Sequence, residues 1–315
     1  MAKRKPSDIN LLLAVDKPVG ISSHDAVARV RRALDERRVG HAGTLDPLAS
    51  GVMIIGVGQA TRLLGRITLD RKGYLARIAF GCETNTDDVE GEPTRTAESA
   101  PELSDPAFAR GVLTRFIGRQ EQVPPAFSAI SVDGVRSYKR ARAGEDVSLP
   151  ARPIEVFSAE LIAIDNATGE SPVWTVAFDV SKGTYIRALA RDIGRSIDGA
   201  AHLCDLRRTS SGSIGLRDCA DLDALNPAIA RARCLDPVAV LGFPACELDE
   251  SQLADVLVGR ALPLHAVSPR SGSSAPVAGG PVALTYAGEL RAIATAKDGK
   301  LRMNDVFPQG IGGVL

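Results

Sequence analysis

The stretch that most constrains this chain is Gly40-His41-Ala42-Gly43-Thr44-Leu45-Asp46-Pro47-Leu48-Ala49-Ser50-Gly51, which runs straight into the apolar segment Val52 to Val57. Glycine reaches backbone angles that other residues avoid and proline fixes one, so the stretch predicts a tightly turned loop with one acid inside it. The apolar run behind it predicts a short buried strand. On residue types alone, Asp46 caps a helix or an Asx-turn, with Pro47 at the first helical position. A carboxylate held inside such a loop is also a candidate for chemistry.

The chain has 315 residues, enough for one large domain and a small one, and 44% of them are hydrophobic, enough for a proper core. Formal net charge is zero, which excludes a global basic field as the means of attracting an anionic partner. That balance hides an asymmetry. Residues 83–105 carry eight acids against the single base Arg95, which leaves 37 bases against 30 acids elsewhere. The cysteines Cys82, Cys204, Cys219, Cys234 and Cys246 lack paired spacing and read as reduced thiols, with neither a zinc site nor a disulfide framework. Apolar runs fall far short of the ~18 residues of a membrane span and no signal peptide opens the chain, so a cytoplasmic protein without a membrane or metal partner is expected. Neither a GxxxxGK phosphate loop nor a GxGxxG after a strand is present.

Read in order, the chain alternates strands and helices. Residues 1–10 form a polar, basic, loose tail. Leu11 to Val15 is a buried strand; Ser22 and Asp25 make a capping box for a helix over Ser23 to Asp35, with Val27, Val30 and Leu34 on one face and Arg29, Arg31 and Arg32 on the other. Arg71 to Phe80 alternates like a half-buried strand. Asp105-Pro106 opens a helix, Asp133-Gly134 makes a hairpin turn, and Arg136, Lys139, Arg140 and Arg142 surround Tyr138, which fits either a modest RNA backbone site or a solvated face. Val173 to Val180 reads as a strand that turns at Ser181-Lys182-Gly183-Thr184 into a helix. The texture changes after Phe243-Pro244, which places a boundary between a domain over 11–243 and a small β-rich domain over 244–315, with turns at Ala287-Gly288 and Asp298-Gly299 and the look of a small barrel. That last segment holds seven acids and six bases, so any RNA contact there is local.

The string GHAGTLDPLASGVMIIGVGQATR closely resembles the signature loop of the bacterial tRNA pseudouridine-55 synthase (TruB) family, with Ala42 where the family often has threonine. DKPVGISSHDAVARVRR, the KxY pattern at Lys72 and Tyr74, the segment Thr84 to Gly91, SKGTYIRALARDIG and AHLCDLRR resemble further motifs of the same family, covering about residues 11–216. The resemblance implies an α+β fold: a catalytic domain with a mixed, largely antiparallel sheet and flanking helices, then a PUA-like RNA-binding domain.

It also implies roles. Asp46 stands at the catalytic nucleophile, Arg187 pairs with it, and Tyr74 lies on the target base, by stacking or by proton transfer. Tyr185 and Leu206 line the base pocket. His41 either approaches the T-loop nucleotides from the space the base leaves or holds its own loop, and Lys17 is structural or neutralises phosphate. The implied function is isomerisation of the T-loop uridine of tRNA by base flipping, cleavage of the N1–C1′ bond and rejoining through C5, with no cofactor, with the tRNA T-arm as partner, by an enzyme acting alone and with a possible tRNA-folding role. Two alternatives stay open: a non-catalytic tRNA-binding or folding protein, and a guide-RNA-dependent pseudouridine synthase subunit.

Overall fold

The computed structural model describes residues 7–67, 70–128, 130–132, 134–145, 147, 149–166 and 171–314. They fall into two compact units, one of Met1–Pro47, Gly51–Thr68 and Ser213–Leu315, the other of Leu48–Ser50 and Leu69–Gly212.

In the first unit, β1 (Leu11–Lys17) is apolar without alternation because both of its faces are covered. Leu11, Leu13 and Val15 pack with Val27, Val30 and Leu34 of helix α1 (Ser23–Leu34), while Leu12 belongs to a second core on the other side. The Ser22–Asp25 capping box forms as expected, and Asp35 closes the helix in the left-handed conformation at φ 47°. Strand β2 (Val39–Ala42) and β3 (Ala49–Val57) make an antiparallel hairpin, His41 opposite Ile55, and β3 pairs with β1 from Val57 at Leu11 to Gly51 at Lys17. Pro47 starts a turn into β3, so the helix that Asp46 would cap does not exist.

Ser7 to Asn10 correct the expectation of a loose tail. Ser7 and Ile9 are buried, and the Asn10 side-chain carbonyl accepts from the Gln59 amide at 2.8 Å. That contact requires Gly58, at φ +61°, where a Cβ would stand 2.3 Å from the same Asn10 oxygen.

The second unit is built on an antiparallel sheet. Along the chain come β4 (Arg71–Phe80), the short ribbon of β5 (Cys82–Thr84) and β6 (Pro93–Thr96), helix α2 (Pro106–Thr114) and β7 (Gly118–Gln122). They are followed by the hairpin β8 (Ser131–Val132) and β9 (Val135–Arg136), α3 (Ser137–Arg142), β10 (Arg152–Asp165), β11 (Val173–Ser181), α4 (Ile186–Arg195) and β12 (Ala201–Ser211). The sheet order is β12-β4-β11-β10-β7, every pair antiparallel. Asp105 caps α2 from its side chain with Pro106 at the first turn. Gly134, at φ +79°, turns the β8–β9 hairpin, and Asp133 lies outside the described residues. Trp174 is fully buried beside Phe80, with its indole N–H on the Leu103 carbonyl at 2.8 Å. The acidic segment expected as a plain loop contains the β5–β6 ribbon, in which Glu83 stands opposite Arg95.

Back in the first unit follow β13 (Ile214–Gly215), β14 (Ala220–Asp221), α5 (Pro227–Ala232), β15 (Cys234–Leu235) and α6 (Pro237–Leu241). β14 and β15 both pair with β1. A separate sheet contains β16 (Ala245–Glu247), β17 (Leu262–Pro263), β18 (Ser268–Pro269), β19 (Pro281–Tyr286), β20 (Glu289–Lys297) and β21 (Lys300–Ile311), with α7 (Glu250–Leu257) between β16 and β17. The turns Ala287-Gly288 and Asp298-Gly299 carry positive φ at both residues, the geometry that two-residue hairpins favour.

One expectation changes here. The sheet order β17-β21-β20-β19-β16-β18 leaves the two end strands unpaired with each other among the described residues, so this is an open sheet rather than a closed barrel. Within the first unit, Leu12, Ala60 and Leu63 share one core with Ala245, Ala283, Leu290, Ile293, Phe307 and Ile311 of the segment after residue 244. Gly58→Ala forces both a strained φ and an overlap with Asn10, and is expected to cost about 1–3 kcal/mol in urea unfolding; a variant as stable as the wild type would show that the Asn10 contact is dispensable.

Candidate functional site

The loop bearing Asp46 is the turn of the β2–β3 hairpin. Gly43 enters it at φ +77°. The buried Leu45 is fixed through one side chain: the Ser23 hydroxyl accepts from the Leu45 N–H at 2.9 Å and donates to the Leu45 carbonyl at 2.9 Å. Two residues on, the Pro47 carbonyl accepts from the Gly20 N–H at 2.8 Å. The half-buried Asp46 therefore stands between two backbone anchors, one to Gly20 on the connection from β1 to α1 and one to Ser23 in the first turn of α1.

That connection is itself held by Lys17, which is fully buried, its ammonium donating to the carbonyls of Pro18 and Ile21 at 2.8 Å each. This geometry fits the structural one of the two roles expected for it. His41 is half-buried at the end of β2, with the His24 ring edge-on at a centroid distance of 5.8 Å. Lys17, His41 and Asp46 thus all border the β1–α1 connection or the first turn of α1 within the first unit.

Tyr74, Tyr185, Arg187 and Leu206 belong to the second unit. Tyr74 is 8% exposed, on the face of β4 that also carries Lys72 and Ala76. It stands opposite Phe178 of β11 and Arg208 of β12, and the next residue on that face, Ala76, stands opposite Leu206. The sheet therefore brings Tyr74 and Leu206 to one face.

Tyr185 precedes α4. Its backbone is gripped by the buried Gln122, whose carboxamide accepts from the Tyr185 N–H at 2.9 Å and donates to the Tyr185 carbonyl at 3.1 Å. Nothing in the local sequence marked Gln122 for this, because its partner is 63 residues away.

Arg187 would read from spacing as an ordinary exposed helix residue, yet only 4% of it is exposed. Its guanidinium donates to the carbonyls of Thr86 at 2.8 Å and Phe127 at 3.0 Å and lies 3.4 Å from the Asp88 carboxylate. It is the first of three arginines spaced by one helical turn on α4. Arg191 pairs with Asp87 at 2.8 Å and donates to the Val123 carbonyl, and Arg195 pairs with Glu83, which Arg95 also contacts. Burial pushes the Asp87 carboxyl up to about 6 against the pull of Arg191 and Arg187. At Glu83 burial acts the same way, but the hydrogen bonds and charges of Arg195 and Arg95 outweigh it and hold the carboxyl below its usual range. The ladder fixes the acidic segment, and with it the carbonyl that holds Arg187.

The basic faces are partly absorbed by internal contacts: Arg29 pairs with Asp223, Arg31 donates to the Val39 carbonyl, and Arg142 lies over the Tyr138 ring at 5.6 Å. Among the described residues no group of three or more His, Cys, Asp or Glu side chains is placed to hold a metal ion, and no helix is long and apolar enough to cross a membrane.

Removing one partner of a buried ion pair strands the other charge. Arg191→Met is therefore expected to cost about 3–5 kcal/mol in urea unfolding, and the double variant with Asp87→Asn to recover part of that loss. Simple additivity of the two single losses would show that the pair is not coupled.

A family model described as "TruB family pseudouridylate synthase (N terminal domain)" matches residues 31–186. The tRNA pseudouridine synthase B of Mycobacteroides abscessus is 43% identical over 251 residues, 80% of this chain and 84% of that protein. Those of Cutibacterium acnes and Corynebacterium aurimucosum are 44% identical over 252 residues and 41% identical over 255. An H/ACA ribonucleoprotein bound to a substrate RNA is similar in structure, with a TM-score of 0.65 at 22% identity over 94% of this chain and 84% of that one. An archaeal box H/ACA Nop10–Cbf5 complex gives 0.65 at 23% identity over 96% and 88%, and at this identity both likenesses show a shared pseudouridine synthase fold and no more. By its relatives along four-fifths of its length, the chain belongs to the TruB family of pseudouridylate synthases.

Proposed function

We propose that this chain is a tRNA pseudouridine-55 synthase, an isomerase that converts the T-loop uridine of tRNA to pseudouridine. The observation that carries the reading is the turn at Asp46, where a lone carboxylate is held by backbone anchors at residues 45 and 47 in a family whose members are pseudouridylate synthases. Such a turn fixes where the acid points without consuming the carboxylate in a helix cap.

The reaction breaks N1–C1′, turns the uracil and forms C5–C1′; the C5 proton leaves and N1 gains one, so electrons balance without an oxidant. It requires a nucleophile, a pocket that retains the detached base, and exclusion of water. In this reading Asp46 is the nucleophile and Arg187 its assigned cation. A base extruded from an RNA loop costs a few kcal/mol, and stacking on an aromatic returns about 1–3 kcal/mol. Tyr74 takes that role, with Tyr185 and Leu206 as pocket walls and His41 entering the space the base leaves. Lys17 serves by holding the β1–α1 connection. The partner is the tRNA T-arm, the enzyme acts alone in the cytoplasm, and no cofactor enters the reaction.

The test is incubation of wild-type and Asp46→Ala protein with unmodified tRNA transcript, followed by carbodiimide-dependent primer extension. A stop at the T-loop uridine with the wild type and none with the variant is expected. No stop with either protein, under conditions where the tRNA is bound, would replace the enzyme reading with that of a tRNA-binding or folding protein.

A further inference from the structure

Lys72 is the one feature of the Tyr74 face that the fold itself does not explain. It lies two residues before Tyr74 on β4, on the same face, between Val180 of β11 and Ser211 of β12, both buried. The lysine is half-buried, and among the described residues it makes no hydrogen bond and no ion pair. The charges that act on it are both cations. Arg208, opposite Tyr74, is 1% exposed, and Lys182 is exposed and already paired with Asp70 at 2.7 Å. Its neighbour Arg71 points to the other face and pairs with Asp179. Burial, then the repulsion of Arg208 and Lys182, hold the Lys72 ammonium down to about 8.

A half-buried ammonium among cations, with no acid to offset it, destabilises the folded chain. Replacement by an apolar residue would relieve that penalty, so the position calls for a binding partner that supplies the offsetting negative charge. The compensating group must be anionic, must reach the Tyr74 face, and must tolerate a second buried cation nearby. A carboxylate ligand has no place in the reaction proposed above, whereas an RNA strand that lays a base on Tyr74 brings its own phosphodiesters to the same face.

We propose that Lys72 binds a backbone phosphate of the RNA next to the base that Tyr74 receives. This rests on the function proposed above for its choice of RNA, but not for the anion site itself. Its chemistry is that of a point charge offered to a phosphate on the Tyr74 face, and it acts in binding rather than in bond making. Because the phosphate is a sequence-independent feature, Lys72 contributes affinity and register and leaves the identity of the base to the pocket.

The experiment compares wild type, Lys72→Met and Lys72→Arg as full chains. It records unfolding temperature in the absence of RNA, and the Kd for tRNA transcript from 50 to 300 mM KCl. Lys72→Met is expected to raise the unfolding temperature or leave it unchanged. It is also expected to weaken tRNA binding about tenfold at low salt and to flatten the slope of log Kd against log salt by about 1, as loss of one phosphate contact does. Lys72→Arg is expected to retain the wild-type slope. An unchanged slope for Lys72→Met, or a lower unfolding temperature with weaker binding at every salt concentration by the same factor, would overturn the assignment and make Lys72 a structural residue. These readouts are independent of isomerisation, so a wild type that binds tRNA without modifying it would refute the proposed function and leave the phosphate site standing.

Discussion

The geometry of the loop depends on one hydroxyl. Ser23, in the first turn of α1, both donates to and accepts from the backbone of Leu45, and the amide of Gly20 takes the carbonyl of Pro47. Backbone anchors on either side of Asp46 fix the path of the chain through the acid and thereby the direction in which its side chain leaves the loop. The anchors are in turn only as firm as the β1–α1 connection, which Lys17 holds through two carbonyls and the Ser22–Asp25 capping box closes. The start of a helix, normally a matter of stability, here sets the position of an acid in the loop beyond the next strand.

Charge in the second unit is spent in two opposite ways. On α4 the arginines at 187, 191 and 195 meet Asp88, Asp87 and Glu83, so three acids of a segment that is acidic in sequence are paired internally. On β4, Lys72 is left among cations. The first arrangement is what a fold needs to bury charge, and the second is what a fold tolerates only where a ligand completes it. Both converge on the residues assigned to the base, because Arg187 follows Tyr185 on α4 and Lys72 precedes Tyr74 on β4.

What the sequence disclosed follows the range of the interaction involved. The capping box of α1, the Asp105-Pro106 start of α2 and the paired positive-φ turns of the last sheet are local, and each formed where the residues placed it. The helix-cap reading of Asp46 failed because Asp-Pro is equally at home in a turn, and the choice was made by the pairing of β2 with β3. Non-local features were not legible. The grip of Gln122 on Tyr185 spans 63 residues, the contact of Arg195 with Glu83 spans 112, and Leu12 shares a core with Phe307 near the other end of the sequence. Arg187, whose spacing marks it as solvent-exposed, became a candidate only through family resemblance, and its burial against the Thr86 and Phe127 carbonyls and Asp88 is visible in the folded chain alone.

The most direct measurement of the anchor is single-turnover release of tritium from tRNA labelled at uridine C5, with enzyme in excess, for wild type and Ser23→Ala. Loss of the hydroxyl frees residue 45 and lets the carboxylate wander by a fraction of its reach, a misplacement that costs about 10²-fold when reacting atoms must be aligned. The expected result is a rate lower by about that factor with tRNA affinity unchanged. A rate equal to that of the wild type would contradict the dependence of Asp46 on its backbone anchors.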